Sequence, residues 1–300
     1  MASIRARLFS HLLRRALRSG LLPDGVEGLQ MVRNGENRGR ILSMIMGQAE
    51  PGAAIKIGTM DAEWVGDENA GRTLLYLHGG GYVLGSIDTH RSMVTRLCKF
   101  AGIRGLIVDY RLAPEHPYPS AIEDAEQAYD YLIENGVAPE KMLLAGDSAG
   151  GGLSLALMQT LRKHGKAQPK AVALLSPWTD LTISGRSHKE RAERDPMIDV
   201  ERMPQAINWY CPNQDKKNPL ISPVFADLAG FPPMFVQVGS EEVLFDDSTR
   251  LVENAEKANV DAELQIWPDM PHVHQIAHRF VPEAKAALRD IAAFFNRKGV

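Results

Sequence analysis

Cysteine is nearly absent: Cys98 and Cys211 are the only two in 300 residues. Neither sits in a Cys-x-x-Cys pair or a Cys/His cluster, which excludes a disulfide framework and a structural zinc site and makes a reducing compartment the expectation. No run approaches the ~18 uninterrupted apolar residues that a membrane span needs. An excess of one charge is missing too, since 34 Lys and Arg stand against 37 Asp and Glu for a formal net charge of −3. A nucleic-acid groove requires clustered cations to displace counterions, so nucleic acid is not an expected partner. Internal repeats and low-complexity tracts are also absent. What is present, 44% hydrophobic and 24% charged residues, is the balance of a globular chain long enough for one large domain or two small ones.

Residues 2–19 are rich in arginine and contain no acid. Arg5, Arg7, Arg14, Arg15 and Arg18 break up the ~7–15 consecutive apolar residues of a secretory signal. The Arg14–Arg15 pair lacks the apolar run of a twin-arginine signal, while a mitochondrial presequence shares the composition. The spacing of Leu8, Leu12 and Ala16 predicts an amphipathic helix packed on the body of the protein, and the expected location is cytoplasmic.

From about Ala53 the chain alternates strand-like and helix-like segments. The strands expected are Ile55–Ile57, Ala62–Val65, Leu74–Leu77, Leu106–Tyr110, Met142–Ala145, Val172–Leu175, Met234–Val238 and Leu264–Trp267. Several are continuous apolar runs, as strands covered on both faces require. Ile122, Ala125, Tyr129, Leu132 and Ile133 recur at helical spacing and stop at Gly136; Leu153, Ala156, Leu157 and Leu161 do so before Gly165. A last helix is read from Ala287, Leu288, Ile291 and Phe294. The alternation predicts a mostly parallel α/β sheet with helices on both faces. Between Ser176 and Pro233 no strand is expected, only a short helical stripe of Met203, Ala206, Ile207 and Tyr210. An insertion of that length suits a lid over the carboxyl edge of the sheet, where such proteins bind ligands.

The sharpest motif is Gly146-Asp147-Ser148-Ala149-Gly150-Gly151, placed between a strand and a helix. Glycines two residues either side of Ser148 suit a tight, strained bend that lifts the serine oxygen clear of the sheet. The helix amino terminus then offers positive potential to a developing oxyanion. Neither glycine-rich phosphate-loop pattern can be read here. His78-Gly79-Gly80-Gly81-Tyr82 ends an earlier strand and exposes successive backbone N–H groups. A serine hydrolase needs such donors from two places: an upstream loop, and the residue after the nucleophile, here Ala149. His78 precedes the nucleophile, the wrong chain order for its base, and reads as a residue orienting the loop.

These motifs, with Asp109-Tyr110-Arg111-Leu112-Ala113-Pro114-Glu115-His116-Pro117-Tyr118-Pro119, resemble the hormone-sensitive-lipase-like branch of the α/β-hydrolases, the bacterial family IV carboxylesterases. The resemblance covers essentially the whole chain. It implies an α/β-hydrolase fold with a mostly parallel eight-stranded sheet flanked by helices and a helical cap. Residues 1–50 would give amino-terminal cap helices, 51–180 and 221–300 the catalytic domain, and 181–220 a cap insertion. The Asp109–Pro119 block would buttress the oxyanion loop, with Arg111 and Glu115 able to pair beneath the site.

Three late histidines follow the nucleophile: His272, His274 and His278. The resemblance selects His272, two residues after Met270, as the base. His274 and His278, four apart, read as solvated helix histidines rather than metal ligands, since no third ligand accompanies them. For the acid the chain departs from the family's Asp-Pro-Leu-x-Asp string. Aligning Leu244 and Asp246 puts Glu242 in the catalytic position, with Asp246 and Glu241 as alternatives. Asp195-Pro196-Met197-Ile198-Asp199 looks closer to that string but precedes the seventh strand, and is expected to shape the cap.

The resemblance implies a serine carboxylesterase acting on small esters of short to medium acyl chain, with Ser148, His272 and Glu242 as triad and Gly80, Gly81 and Ala149 as oxyanion donors. Gly79 would serve the turn. No metal or organic cofactor is implied. Trp178, Met203, Ile207, Trp209 and Tyr210 are candidates for an apolar pocket wall. Lactonase, amidase or thioesterase activity on the same triad, or a ligand receptor without catalysis, are the alternatives. Pairing of two copies through Leu264–Trp267 is left open.

Overall fold

The computed structural model describes residues 2–16, 25–34 and 49–298. Arg18, Ser19 and much of the 1–50 stretch therefore lie outside the described residues. Two helices, α1 (Ile4–Ala16) and α2 (Gly25–Arg33), precede the sheet. The strands are β1 (Ala53–Ile57), β2 (Met60–Gly66), β3 (Thr73–Leu77), β4 (Arg104–Val108), β5 (Met142–Asp147), β6 (Ala171–Leu175), β7 (Met234–Gly239) and β8 (Ala262–Trp267). They form one sheet in the order β1-β2-β4-β3-β5-β6-β7-β8, with antiparallel pairing of β1 to β2 and β2 to β4 and parallel pairing from β4 onward. Each expected strand is present, though β4 starts and ends two residues earlier than its apolar run suggests.

The central strands are buried along their whole length, which is why they read as unbroken apolar runs. Their period-2 alternation still divides the core. Leu75, Leu77, Leu144, Val172, Leu174 and Val236 face one layer; Leu74, Tyr76, Leu143, Ala145, Ala173 and Phe235 face the other. The first layer is closed by α4 (Ser120–Glu134), α5 (Ala149–Lys163) and α8 (Phe245–Lys257), through residues such as Ala125, Leu132, Ala156 and Leu251. The second is closed by α3 (Ile87–Ala101) and α9 (Pro282–Lys298), through Met93, Leu97, Leu288, Ile291 and Phe295.

Helix α3 begins at a capping box, in which the Ser86 hydroxyl accepts from the Thr89 N–H and the Thr89 hydroxyl from the Ser86 N–H. It ends on Gly102 in the left-handed region, so both orphan ends of the helix are satisfied. Between β6 and β7 the chain carries only short helices, among them α6 (Ser187–Glu190) and α7 (Met203–Tyr210), and no strand.

Three expectations are corrected. Arg111 and Glu115 do not pair with each other. Arg111 binds Asp124 and Glu123, while Glu115 binds Arg33, which arrives from α2. His274 and His278 are buried, not solvated. Leu8 and Leu12 face solvent; α1 packs instead through Ala2, Ala6 and Leu13.

Candidate active site

The carboxyl ends of β3, β5, β6, β7 and β8 converge on one edge of the sheet. Chain leaving β5 reverses into α5 within a single residue, and Ser148 occupies that corner with φ +51°, a strained value for a side chain other than glycine. Hydrogen bonds fix the corner. Ser148 N–H donates to the Leu175 carbonyl (2.9 Å), and the Ser148 carbonyl accepts from Gly151 (3.0 Å) and Trp178 (2.8 Å). Gly150 is required by contact rather than by dihedral angle, because a Cβ there would meet the Leu77 and His78 carbonyls.

Gly79, Gly80 and Gly81 leave β3 beside this corner. Gly80 and Gly81 have φ +123° and +65°, open to glycine at no steric cost. Gly79 N–H donates to Asp147 Oδ1 (3.0 Å). The N–H groups of Gly80, Gly81 and Ala149 meet no acceptor among the described residues, and all three residues adjoin Ser148 in space or sequence. A cluster of free donors beside a hydroxyl suits an anion that forms during reaction.

Beneath the glycine loop lies a buried polar network. Asp147 Oδ1 also accepts from Tyr76 Oη (2.7 Å), and Oδ2 faces His90 Nε2 at 3.2 Å. Burial alone would raise the Asp147 carboxyl, but the His90 charge and hydrogen bond, with Tyr76, hold it below the usual range. Burial opposes a charge on His90 as well, yet Asp147 draws its pKa above 6.5. His78 stacks on Tyr110 at 4.2 Å, and its Nδ1–H donates to the Gly79 carbonyl (2.8 Å). Burial, with His90 nearby, lowers its pKa to about 3, so it stays neutral.

His272 arrives from the loop after β8. Its Nδ1 lies 2.6 Å from Glu242 Oε2. A carboxylate there requires the proton on Nδ1 and leaves Nε2 bare as a base. Glu242 is fully buried, and its other oxygen accepts from Ser176 Oγ (2.8 Å) and the Gly239 N–H (2.5 Å). Ser176 Oγ in turn accepts from Val273 N–H (3.2 Å), so one hydroxyl joins the acid to the histidine loop. Burial pushes the His272 imidazole down, but the Glu242 charge and hydrogen bond outweigh it and the pKa is raised. The alternatives for the acid are engaged elsewhere: Asp246 Oδ2 accepts from Ser187 N–H (3.1 Å), and Glu241 pairs with Arg194.

Ser148 and His272 line the same cavity. No hydrogen bond joins their side chains among the described residues, and catalytic hydrogen bonds in substrate-free enzymes are commonly long. Glycine backbone and Asp147 line part of the cavity; Val83, Leu84, Trp178, Met197, Ile198, Met203, Leu244 and Ile276 give it apolar walls. Of the five expected wall residues only Trp178 and Met203 line it. Ile207, Trp209 and Tyr210 do not, and Tyr210 stacks on Tyr82 at 3.8 Å.

Three residues near the site carry roles that no sequence pattern revealed: Ser176, His90 and Tyr76. Asp195 is buried and accepts from Met197 (2.8 Å), Ile198 (3.0 Å) and Val243 (3.0 Å) N–H groups. It thereby ties the cavity-lining segment 197–199 to the turn that holds Glu242. Among the described residues no group of His, Cys, Asp and Glu is arranged to hold a metal ion.

Known proteins resemble this chain in sequence and fold. A family profile described as alpha/beta hydrolase fold matches residues 74–276. An acetyl-hydrolase of Streptomyces hygroscopicus is 43% identical over 247 residues, 82% of this chain and 83% of that protein. An esterase of Acinetobacter venetianus is 37% identical over 238 residues, 79% of this chain and 78% of that protein. Among solved structures, an esterase from the bacterial hormone-sensitive lipase family superposes with a TM-score of 0.90 at 36% identity, covering 100% of both chains. The esterase EstE5, in a crystal soaked with p-nitrophenyl butyrate, gives a TM-score of 0.90 at 37% identity over 99% of each chain. Matched in fold and sequence across so much of their length, the chain belongs to the α/β-hydrolase family, in the branch of the bacterial hormone-sensitive-lipase-like esterases.

Proposed function

We propose that this chain is a serine carboxylesterase that cleaves esters of short to medium acyl chain through an acyl-enzyme. Ser148 Oγ attacks the ester carbonyl while its proton passes to His272 Nε2. The carbonyl oxygen, now anionic, accepts hydrogen bonds from the Gly80, Gly81 and Ala149 N–H groups. Imidazolium at His272, stabilised by Glu242, protonates the departing alcohol. Water then gives its proton to the same nitrogen, attacks the acyl carbonyl, and frees the acid and Ser148. These steps require no cofactor.

The observation that carries this reading is the buried 2.6 Å contact between His272 Nδ1 and Glu242, opening on the cavity that holds Ser148. The names of the relatives support ester substrates, and the apolar walls support an acyl chain. Residues 1–50 and 181–220 form the proposed cap, over a catalytic domain of 51–180 and 221–300. Among the described residues no helix is long and apolar enough to cross a membrane; a cytoplasmic setting is part of the proposal. The outer edge at β8, where Ile266 is exposed, supports pairing of two copies.

Hydrolysis of p-nitrophenyl butyrate tests the assignment. Wild type should turn over, and Ser148→Ala should lose at least about 10³-fold in kcat. Absence of turnover in the wild type on an ester, amide, lactone and thioester panel would favour a receptor without catalysis, and a preference for amide, lactone or thioester would redirect the substrate class.

A further inference from the structure

Helix α1 presents the wrong face to water. Ala2 and Ala6 pack beside Met270, Ala277, Val281 and Ala284, and Leu13 joins the second core layer. Ile4, Leu8 and Leu12, four residues apart, point outward with 77%, 56% and 54% of their surface exposed. They are three of the nine large apolar side chains exposed among the described residues, gathered on one helix of 13 residues. At 3.6 residues per turn they fall within an arc of about 80°. Arg15 lies inside that arc and Arg5 on its border, while Arg7, His11 and Arg14 flank the other side. All are exposed, and the helix holds no Asp or Glu.

The helix is fastened to both sides of the cavity. Ala2 N–H donates to Asp269 Oδ2 (3.0 Å), just ahead of His272. Arg14 donates from both terminal nitrogens to the Glu193 and Arg194 carbonyls, just ahead of cavity-lining Met197.

We propose that α1 docks on the surface of an anionic lipid bilayer. Ile4, Leu8 and Leu12 enter the headgroup–acyl boundary, and Arg5, Arg7 and Arg15 meet lipid phosphates. A row of aliphatic side chains bordered by arginines matches such a surface in both polarity and charge. A second copy of the chain fits less well, because two-fold pairing through this face would bring the same arginines together. The fastenings to Asp269 and to Glu193 and Arg194 would hold the cavity close to the docked surface. This goes beyond the esterase assignment and does not depend on it, since the readout is binding.

Co-sedimentation with vesicles tests the proposal. Protein should bind vesicles of equal parts phosphatidylglycerol and phosphatidylcholine at least about tenfold more tightly than pure phosphatidylcholine, and lose that preference in high salt. A double variant, Leu8→Gln with Leu12→Gln, should lose most binding while keeping its melting temperature and its activity on soluble esters. Arg5→Gln with Arg15→Gln should remove the preference for anionic lipid. Equal or absent sedimentation with the two vesicle types overturns the proposal, as does undiminished binding by the leucine variant. A doubled solution mass that the leucine variant halves, without vesicle binding, would assign the face to a second copy instead.

Discussion

Glu242 holds His272 through one carboxylate oxygen and is itself held through the other by Ser176 and the Gly239 N–H. Replacing it with glutamine keeps the size but offers no charge to the imidazolium. Glu242→Gln should therefore cost about 10³–10⁴-fold in kcat on a soluble ester. Asp246→Asn, which disturbs only the contact with Ser187 N–H, should cost less than tenfold; the reverse order would transfer the acid's role to Asp246. The proposed mechanism needs His272 neutral, and its folded pKa is raised by Glu242. The acidic limb of kcat/KM should therefore have its midpoint above pH 6.5 in the wild type and move down in Glu242→Gln. Ser148, Gly80 and Gly81 were legible because their constraint is local: a corner or a run of backbone donors leaves its mark in adjacent residues. The contact of Glu242 with His272 was legible only through the register of Glu242 with Leu244 and Asp246. Ser176 and His90 were not, because what they do depends on partners 66 and 57 positions away. The Arg111–Glu115 pairing failed for the same reason, since proximity in sequence suggested a partner and α2 supplied a different one.

At the scale of elements, α5 is the helix whose start sets Ser148, the proposed nucleophile. An alanine at position 150 would gain about 1 kcal/mol in helix propensity. Its Cβ would also meet main-chain carbonyls of β3 and its following loop, with His78 O at 2.5 Å, and backbone cannot step aside as a side chain would. Overpacking costs about 1–3 kcal/mol, so the clash outweighs the propensity. Gly150→Ala should lower Tm by roughly 2–8 °C and reduce kcat more than KM, by shifting Ser148 against the glycine loop. A raised Tm in calorimetry would contradict this packing. The central strands β3, β5, β6 and β7 could be read from apolar runs because burial on both faces demands them, whereas the edge strands β1 and β8 carry exposed or half-buried positions. Helix α1 could be read as a helix but not oriented: Leu8 and Leu12 made the more apolar stripe, yet the small side chains Ala2 and Ala6 allow the close approach to α9 and the His272 loop. Apolarity identified a stripe; only packing decides which side is inside.

For the whole molecule, pH acts on stability as well as on chemistry. Asp247 is fully buried under the segment after β6, where its Oδ1 accepts from the Thr179 and Asp180 N–H groups (2.8 Å each). Burial lifts its carboxyl from 3.8 to about 8. The folded state thus holds a proton that the unfolded chain releases near pH 4, and the stability associated with it is lost progressively as pH rises from about 4 to about 8. Asp247→Asn keeps an acceptor for both N–H groups and has no proton to lose. Its Tm relative to wild type should be near zero difference at pH 4 and increasingly favourable toward pH 9; a constant difference would mean that Asp247 is ionised throughout. Asp247 and the segment it holds lie 68 and 67 positions apart, so no pattern in the chain announced their contact. The cavity has a further consequence for how substrate range changes between relatives or under selection. Its floor is main chain, with Gly79, Gly80, Gly81 and the start of α5, whereas Met197, Ile198 and Met203 on the insertion side offer side chains. Substitution can resculpt the insertion side one residue at a time, whereas backbone donors can be altered only by changes that displace the main chain, so new specificities should arise chiefly at Met197, Ile198 and Met203.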